Sequence, residues 1–368
     1  MHTFAMIRAL QVDLKIVGSK PMAAAKKPGE TQVDVLIVAV PETAGSALYG
    51  MVDVLKAAGT VWETLTRQGN GKTLFNVRIV ALRRKVFVCG NGIPVRPDCI
   101  IADEPKARIV ILPELWLGPD EDIHDRYPTL MNWLRRTYQQ GAFLYSACSG
   151  AVMLAATGLL DGCSATSHWA YQDLFRKRYP NVQFHPEPNL IIADRDGRIV
   201  TAGGTTSWHD LAIHIIARHA NPGEALRIAK VYLLKWHGEG QLPYAPLSRI
   251  SQHADSVVRE CQRQLDRCYR ESDVIQHIVG KARIPERTLK RRFKAATGIT
   301  FIEYVQNLRI EEAKRLLEST DMSSEEIGPA VGYEDLSFFH RLFKRLTGLT
   351  PVKYRRMFQP VLDAGTTP

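Results

Sequence analysis

Residues 289–304 read LKRRFKAATGITFIEY and residues 339–354 read FHRLFKRLTGLTPVKY, so one phrase returns fifty positions later. Phe293, Lys294, Thr297, Gly298, Thr300 and Tyr304 align with Phe343, Lys344, Thr347, Gly348, Thr350 and Tyr354, and Arg291 aligns with Arg341. A basic amphipathic stretch that stops at a glycine reads as a helix closed by a left-handed cap. In each copy a shorter helix and a tight turn come first. The first unit runs from Asp273 through Pro285 to Gly298, and the second from Ser323 through Asp335 to Gly348. That is the layout of a helix-turn-helix, whose second helix enters the major groove of DNA.

The apolar pairs decide which side chains point outward. Burying Leu289 with Phe293, and Phe339 with Phe343, turns Arg287, Lys290, Arg291 and Lys294 outward in the first unit and Ser337, His340, Arg341 and Lys344 in the second. Arg287 and Arg291 are the strongest candidates for reading bases, because a guanidinium matches guanine O6 and N7 with two hydrogen bonds. Residues 301–318 read as one uninterrupted helix with Val305, Leu308, Ala313, Leu316 and Leu317 inward. At 1.5 Å per residue it spans about 27 Å, near the ~34 Å between successive major grooves on one side of a duplex. A stiff spacer of that length would let one chain read adjacent grooves.

Composition agrees with this reading. The 368 residues are 45% hydrophobic, enough for two or three domains with real cores, and the formal net charge of +10 favours an anionic partner. The charge is concentrated: between Lys281 and Lys294 stand seven basic residues and one acid, Glu286. The six cysteines show no Cys-x-x-Cys pair and no regular framework, which predicts reduced thiols in a cytoplasmic protein without disulfides. No apolar run reaches the roughly 18 residues that a membrane span needs. Residues 1–32 read as an N-terminal arm, with Met22 as a second candidate start.

The first strong strand is VDVLIVAV, residues 33–40, nearly all apolar and rich in β-branched side chains, as in a central parallel strand. Helical spacing follows over 46–58. Further strands are expected at 75–81, 108–112 and 142–146, with helices at 128–140, 150–160 and 206–219. This alternation predicts an α/β domain over 33–220 with a parallel, flavodoxin-like sheet covered by helices on both faces. Residues 221–250 read as a connecting helix and linker, 251–358 as the all-α domain and 359–368 as a tail. In the middle of the α/β domain, Ser146-Ala147-Cys148-Ser149-Gly150 crosses from strand to helix. Small neighbours are what a strained elbow carrying a nucleophile requires, and the helix N-terminus behind it is expected to lower the thiol pKa.

Residues 278–358 resemble the AraC/XylS-type DNA-binding domain. The resemblance rests on Arg287-Thr288-Leu289-Lys290-Arg291-Arg292-Phe293, Ala313-Lys314-Arg315-Leu316-Leu317, Val331-Gly332-Tyr333, and Gly348-Leu349-Thr350-Pro351 with Tyr354-Arg355. Val279 and Gly328 depart from the small alanines usual there. Pro285 replaces a serine cap, and Pro329 is expected to shorten its helix. Residues 33–220 resemble the PfpI-like branch of the class I glutamine amidotransferase-like fold. With Ala165-Thr166-Ser167-His168-Trp169 and Thr201-Ala202-Gly203-Gly204, the whole looks like a GlxA-type transcriptional regulator.

That resemblance implies a homodimer that senses a small metabolite and binds promoter DNA, with no cofactor. The effector site is expected beyond the carboxyl ends of the strands, where residues 41–46, 113–116, 148, 168 and 205–208 converge. Its candidates are Glu42, Thr43, Trp116, Cys148, Ser149, His168, Trp169, Thr206 and Trp208. Trp116, Trp169 and Trp208 are able to hold a cationic nitrogen by cation–π attraction, although tryptophans more often serve as plain packing. The rival reading is a cysteine-dependent hydrolase, amidotransferase or glyoxalase-like enzyme with an accessory DNA-binding domain, with Cys148 as nucleophile and His168 as base. Ala47 stands where related enzymes often present a glutamate, leaving Glu42 to approach Cys148 from another side. A third reading is a packaging protein that binds DNA without sequence preference. His209, His214 and His219 are spaced by five, which does not stack them on one helix face, so no metal site is expected.

Overall fold

The computed structural model describes residues 32–247, 255–282 and 284–363, with side chains described as far as 359. The N-terminal arm and part of the linker lie outside the described residues. The chain divides into two compact units between Gln241 and Leu242.

The first unit is built on a seven-stranded sheet. Its strands are β1 (Val33–Val38), β2 (Phe75–Ala81), β3 (Cys99–Ile100), β4 (Ile109–Leu112), β5 (Phe143–Ala147), β6 (Leu190–Ile192) and β7 (Ile199–Ala202), in the order β6-β7-β5-β4-β1-β2-β3. All neighbours pair in parallel except β6 with β7, so the sheet carries one antiparallel edge strand. The continuous apolar run in β1 follows from burial on both faces. Leu36 and Val38 join a core with α2 (Pro128–Gln139) and α3 (Gly150–Ala156), while Val35 and Ile37 join a second core with α1 (Gly45–Ala57), α4 (Trp208–His219) and α5 (Pro222–Val231). Helix α5 belongs to this packing through Ala225, Ile228 and Ala229. Residues 221–241, expected as the start of a connector, therefore form part of the first unit. His214 and His219 meet Tyr145 edge-on in the second core, and burial lowers their pKa values to about 4 and about 3.

The second unit is helical: α6 (Ser256–Cys268), α7 (Val274–Lys281), α8 (Glu286–Thr297), α9 (Phe301–Ser319), α10 (Ser324–Ala330), α11 (Leu336–Thr347) and α12 (Pro351–Asp363). The repeated letters produce repeated geometry. Gly298 and Gly348 cap α8 and α11 in the left-handed region, at φ 81° and 75°. Beside each glycine, the Thr297 or Thr347 hydroxyl donates to the carbonyl of Phe293 or Phe343, at 2.8 Å in both copies. Phe293 meets Tyr304 edge-on at 5.4 Å, and Phe343 meets Tyr354 edge-on at 5.5 Å. Each tyrosine then donates to a carboxylate on the helix preceding its unit, Tyr304 to Asp266 and Tyr354 to Glu318. Helix α6 is thus to the first unit what α9 is to the second.

Pro285 caps α8 without a side-chain hydrogen bond, whereas Asp335 accepts from the Phe338 N–H at the start of α11. Pro329 sits one residue before the end of the seven-residue α10. There the missing N–H would have bonded a first-turn carbonyl, so the helix forms with one bond fewer.

Candidate nucleic-acid interface and sensor site

Helix α8 exposes Arg287, Lys290, Arg291 and Lys294 along the face opposite Leu289 and Phe293, both fully buried. Lys290 forms a 2.5 Å ion pair with Glu286 one turn earlier. Arg292, part of the same basic run, turns away: its guanidinium makes two 2.8 Å hydrogen bonds to Asp255, which also caps α6 by accepting from Val257 and Val258 N–H. Arg292 therefore fastens α8 to α6. On α11, Ser337, Arg341 and Lys344 are exposed, while His340 is half-buried with its ring 5.6 Å from that of Phe339. The two exposed faces differ in character, four cations on α8 against Arg341, Lys344 and Arg345 on α11 with a serine and a histidine.

Between them, α9 buries Phe301, Tyr304, Val305, Ile310, Ala313 and Leu317 as its apolar stripe. Two cations lie in the same buried set. Arg309 is 9% exposed, and its guanidinium donates to the carbonyls of Tyr269 (2.7 Å), Gly332 (2.7 Å) and Glu271 (2.9 Å). Tyr269 and Glu271 lie in the turn that leads from α6 into the first helix-turn-helix unit, and Gly332 lies in the turn before α11, so one side chain ties both turns to the helix that joins the units. Gly332 sits at φ 94°, and a Cβ there would meet the Arg270 carbonyl oxygen at 2.6 Å, which explains a glycine at this crossing. Lys314 donates to the Ala245 carbonyl at 3.0 Å, and Asn307 to the Leu247 carbonyl at 3.1 Å. The first residues of the second unit are thereby held against α9.

In the first unit, Cys148 has φ 53°, a left-handed conformation for a non-glycine residue at the crossing from β5 to α3. Gly150 is required two residues on, since a Cβ there would lie 2.2 Å from the Leu112 carbonyl oxygen. Ser149 locks the elbow to the end of β4: its hydroxyl donates to the Leu115 carbonyl (2.6 Å) and accepts the Leu115 N–H (2.7 Å). Ser167 donates to the Cys148 carbonyl at 2.7 Å. The Cys148 thiol donates to Glu114 Oε1 at 3.6 Å. Glu114, from the β4 exit, lies in the 113–116 segment expected at the site without being singled out there; the carboxylate beside the thiol comes from neither the Ala47 loop nor Glu42. Glu42 instead engages Arg126 and the Tyr127 hydroxyl.

The electrostatics reverse the expected activation of the thiol. Burial pushes the Cys148 pKa up, and the Glu114 charge adds to the rise against weaker opposing hydrogen bonds from Ser149. The Glu114 carboxyl is itself raised, again by burial, with hydrogen bonds from Thr205 and Cys148 working the other way. Two acids of the same sign sharing a dry site favour their protonated forms.

The remaining expected site residues are distributed. Thr43 is buried and closes the β1 exit by accepting the Val40 N–H. Trp116 is exposed and covers Gly90. His168 Nδ1 accepts the Ala170 N–H at the start of a short turn, and the His168 ring lies 4.6 Å from that of Trp169. Thr206 and Trp208 line a cleft of about 440 Å³ beside α1, together with Asp53, His209, Tyr232, Lys235 and His237. Gln241, the last residue of the unit, is buried, and its amide donates to the Ser167 carbonyl (2.9 Å) and the Pro188 carbonyl (3.2 Å) while accepting the Trp169 N–H (3.2 Å). All six cysteines are unpaired. Among the described residues, no cluster of three His, Cys, Asp or Glu side chains is disposed to hold a metal, and no helix is long and apolar enough to cross a membrane.

A doubly covered, mostly parallel sheet with a cysteine elbow, followed by a duplicated helix-turn-helix, is the architecture these observations define. The chain belongs to the DJ-1/PfpI family, whose model matches residues 33–218, and a helix-turn-helix domain model matches residues 278–357. It is similar to the HTH-type transcriptional regulator CdhR of Pseudomonas aeruginosa, 27% identical over 287 residues that cover 76% of this chain and 82% of that one. It is 29% identical to the HTH-type transcriptional regulator GlxA of Rhizobium meliloti over 61% of this chain and 68% of that one. A shorter match, 32% identical over 33% of this chain and 50% of the other, is to an isonitrile hydratase of Pseudomonas putida.

Proposed function

We propose that this protein is a sequence-specific transcriptional regulator of the cytoplasm that acts as a homodimer. The second unit binds double-stranded promoter DNA and the first senses a small metabolite. The observation that carries this reading is the duplicated reader itself: two helices of one design expose polar and cationic faces, and Arg309 on α9 binds the turn after α6 and the turn before α11. Arg287 and Arg291 then read bases from α8, Ser337, His340 and Arg341 from α11, and Lys290, Lys294 and Lys344 hold phosphates. The names carried by the regulators similar to it along most of their length support the same reading. Effector and DNA would communicate through the short run between Gln241, anchored in the first unit, and Ala245, held by Lys314 in the second. Such coupling requires a ligand that prefers one arrangement of the units.

Footprinting on selected DNA tests the assignment. Wild type should protect two half-sites about one helical turn apart. Arg291→Ala should weaken binding by about 1–3 kcal/mol and relax base preference at one position, whereas Lys294→Ala should weaken all sequences alike and flatten the salt slope by about one unit. Identical footprints and slopes for all three proteins would reject it.

The enzyme reading keeps one observation in its favour, a cysteine at a strained elbow next to a carboxylate. The high thiol pKa weighs against it, because the thiolate is the nucleophile. Cys148→Ala that regulates a promoter normally, from a wild type without turnover on nitriles, isonitriles or amides, favours the regulator. Turnover abolished by the same change favours the enzyme.

A further inference from the structure

The elbow to which the sequence directs attention is tightly closed: Thr43, Cys148, Ser149 and Ser167 are each no more than 2% exposed. The 440 Å³ cleft lies on another part of the same unit, between α1, the start of α4 and the segment after α5. Its size falls within the range of small-metabolite sites. One wall is aromatic. The outer edge of the Trp208 ring packs so close to α1 that a Cβ on Gly50 would lie 2.4 Å from it, and Tyr232 reaches back to the Asp53 carbonyl at 3.4 Å. Val54 and Leu234 complete the apolar lining.

The lining also carries nitrogen donors. His237 is fixed by Asp210, which is fully buried and accepts both the His237 N–H (3.2 Å) and Nδ1 (2.9 Å). With Nδ1 held there, Nε2 is the nitrogen left for the cleft. Lys235, two residues earlier and exposed, lines the same cleft, as does His209, whose ring lies 3.8 Å from that of Trp208. Asp53 is the one carboxylate of the lining. The Asp210 hydrogen bond favours the protonated imidazole by raising the His237 pKa against burial. At the rim Leu233 is 88% exposed and held at φ 54°, an apolar side chain on a strained turn.

We propose that a small carboxylate with a flat apolar body binds in this cleft, its carboxylate taken by His237 and Lys235 and its body lying against Trp208 and Tyr232. The assignment rests on the sensor reading of the first unit and moves its effector site from the elbow to the α1–α4 side. It also gives the ligand a direct hold on the chain: the segment it touches, 232–237, ends four residues before Gln241, where the first unit ends.

The test uses the full chain and four probes, benzoate, phenylacetate, benzamide and benzylamine, followed by calorimetry and saturation-transfer NMR. The two carboxylates should bind in the millimolar range or better, and benzamide and benzylamine at least about tenfold more weakly, as the loss of a charge-assisted hydrogen bond requires. Lys235→Gln and His237→Gln should each weaken benzoate about tenfold, and Asp53→Asn should tighten it. Lys235 is a surface residue, so its variant reports binding without disturbing the core. Carboxylate and amide binding alike, preference for benzylamine, affinity unchanged in both Lys235→Gln and His237→Gln, or failure of either carboxylate to bind would each overturn the proposal. Promoter binding measured on the same samples reports separately on the regulator reading: loss of base preference in the wild type would sink that reading whatever the probes show.

Discussion

Replacing Arg309 with methionine keeps most of the stem and removes the guanidinium. Three hydrogen bonds are lost, to the carbonyls of Tyr269, Glu271 and Gly332 at 2.7–2.9 Å. Hydrogen bonds from a charged donor contribute about 1.5–3 kcal/mol each, and the release of a buried cation from its desolvation cost offsets part of that sum. A net loss of about 3 kcal/mol is expected, local to the joints between α9 and the two helix-turn-helix units. Because the protein has two units, global unfolding is not a single transition, and hydrogen exchange on the full chain is the sharper assay. Peptides covering 267–273 and 330–335 should exchange about 100-fold faster, since each 1.36 kcal/mol is a factor of ten. The same variant should lose more affinity for a two-half-site operator than for an isolated half-site, because the readers are no longer held at a fixed spacing. Unchanged exchange in both peptides, or equal losses on the two DNAs, would refute the role given to Arg309.

Other consequences can be checked directly. The raised Cys148 pKa means that its stabilising contribution is fully present below the ordinary thiol pKa of about 8.5 and is lost as pH rises toward the folded value. Iodoacetamide should therefore label Cys148 far more slowly than an exposed thiol at neutral pH and without a plateau up to pH of about 10; a neutral-pH plateau would contradict the buried pairing with Glu114. Gly150→Ala should cost about 3 kcal/mol or more or prevent folding, because the new methyl meets backbone, whereas Gly280→Ala, with open space around it in α7, should stabilise its helix by up to about 1 kcal/mol. Circular dichroism melts of the pair read out both signs. Gln241→Leu should lower local stability by about 2 kcal/mol, seen as faster exchange in residues 166–170, while DNA affinity without effector stays as in the wild type; unchanged exchange there would remove Gln241 as an anchor.

The local parts of this protein were legible because they depend on residues close in the chain. An apolar β-branched run makes β1, and a glycine after a basic amphipathic stretch makes the left-handed ends of α8 and α11. Small residues around Cys148 make its elbow, and the repeated Phe, Thr, Gly and Tyr make two copies of one turn, because the same side chains close the same hydrogen bonds. What the sequence could not disclose depends on partners far along the chain. Nothing near Arg309 in the chain names its partners, yet packing surrounds it with carbonyls that begin some forty residues before it and end twenty-three after. Arg292 stands in the basic run of residues 281–294, and only the position of α6 gives it to Asp255. Glu114 lies thirty-four residues before Cys148, and its approach turns an expected reactive thiol into one that holds its proton. Periodicity and backbone preference act within a few residues, so they set the elements; desolvation and charge pairing act only between surfaces already packed together, so the tertiary structure sets the chemistry of each site.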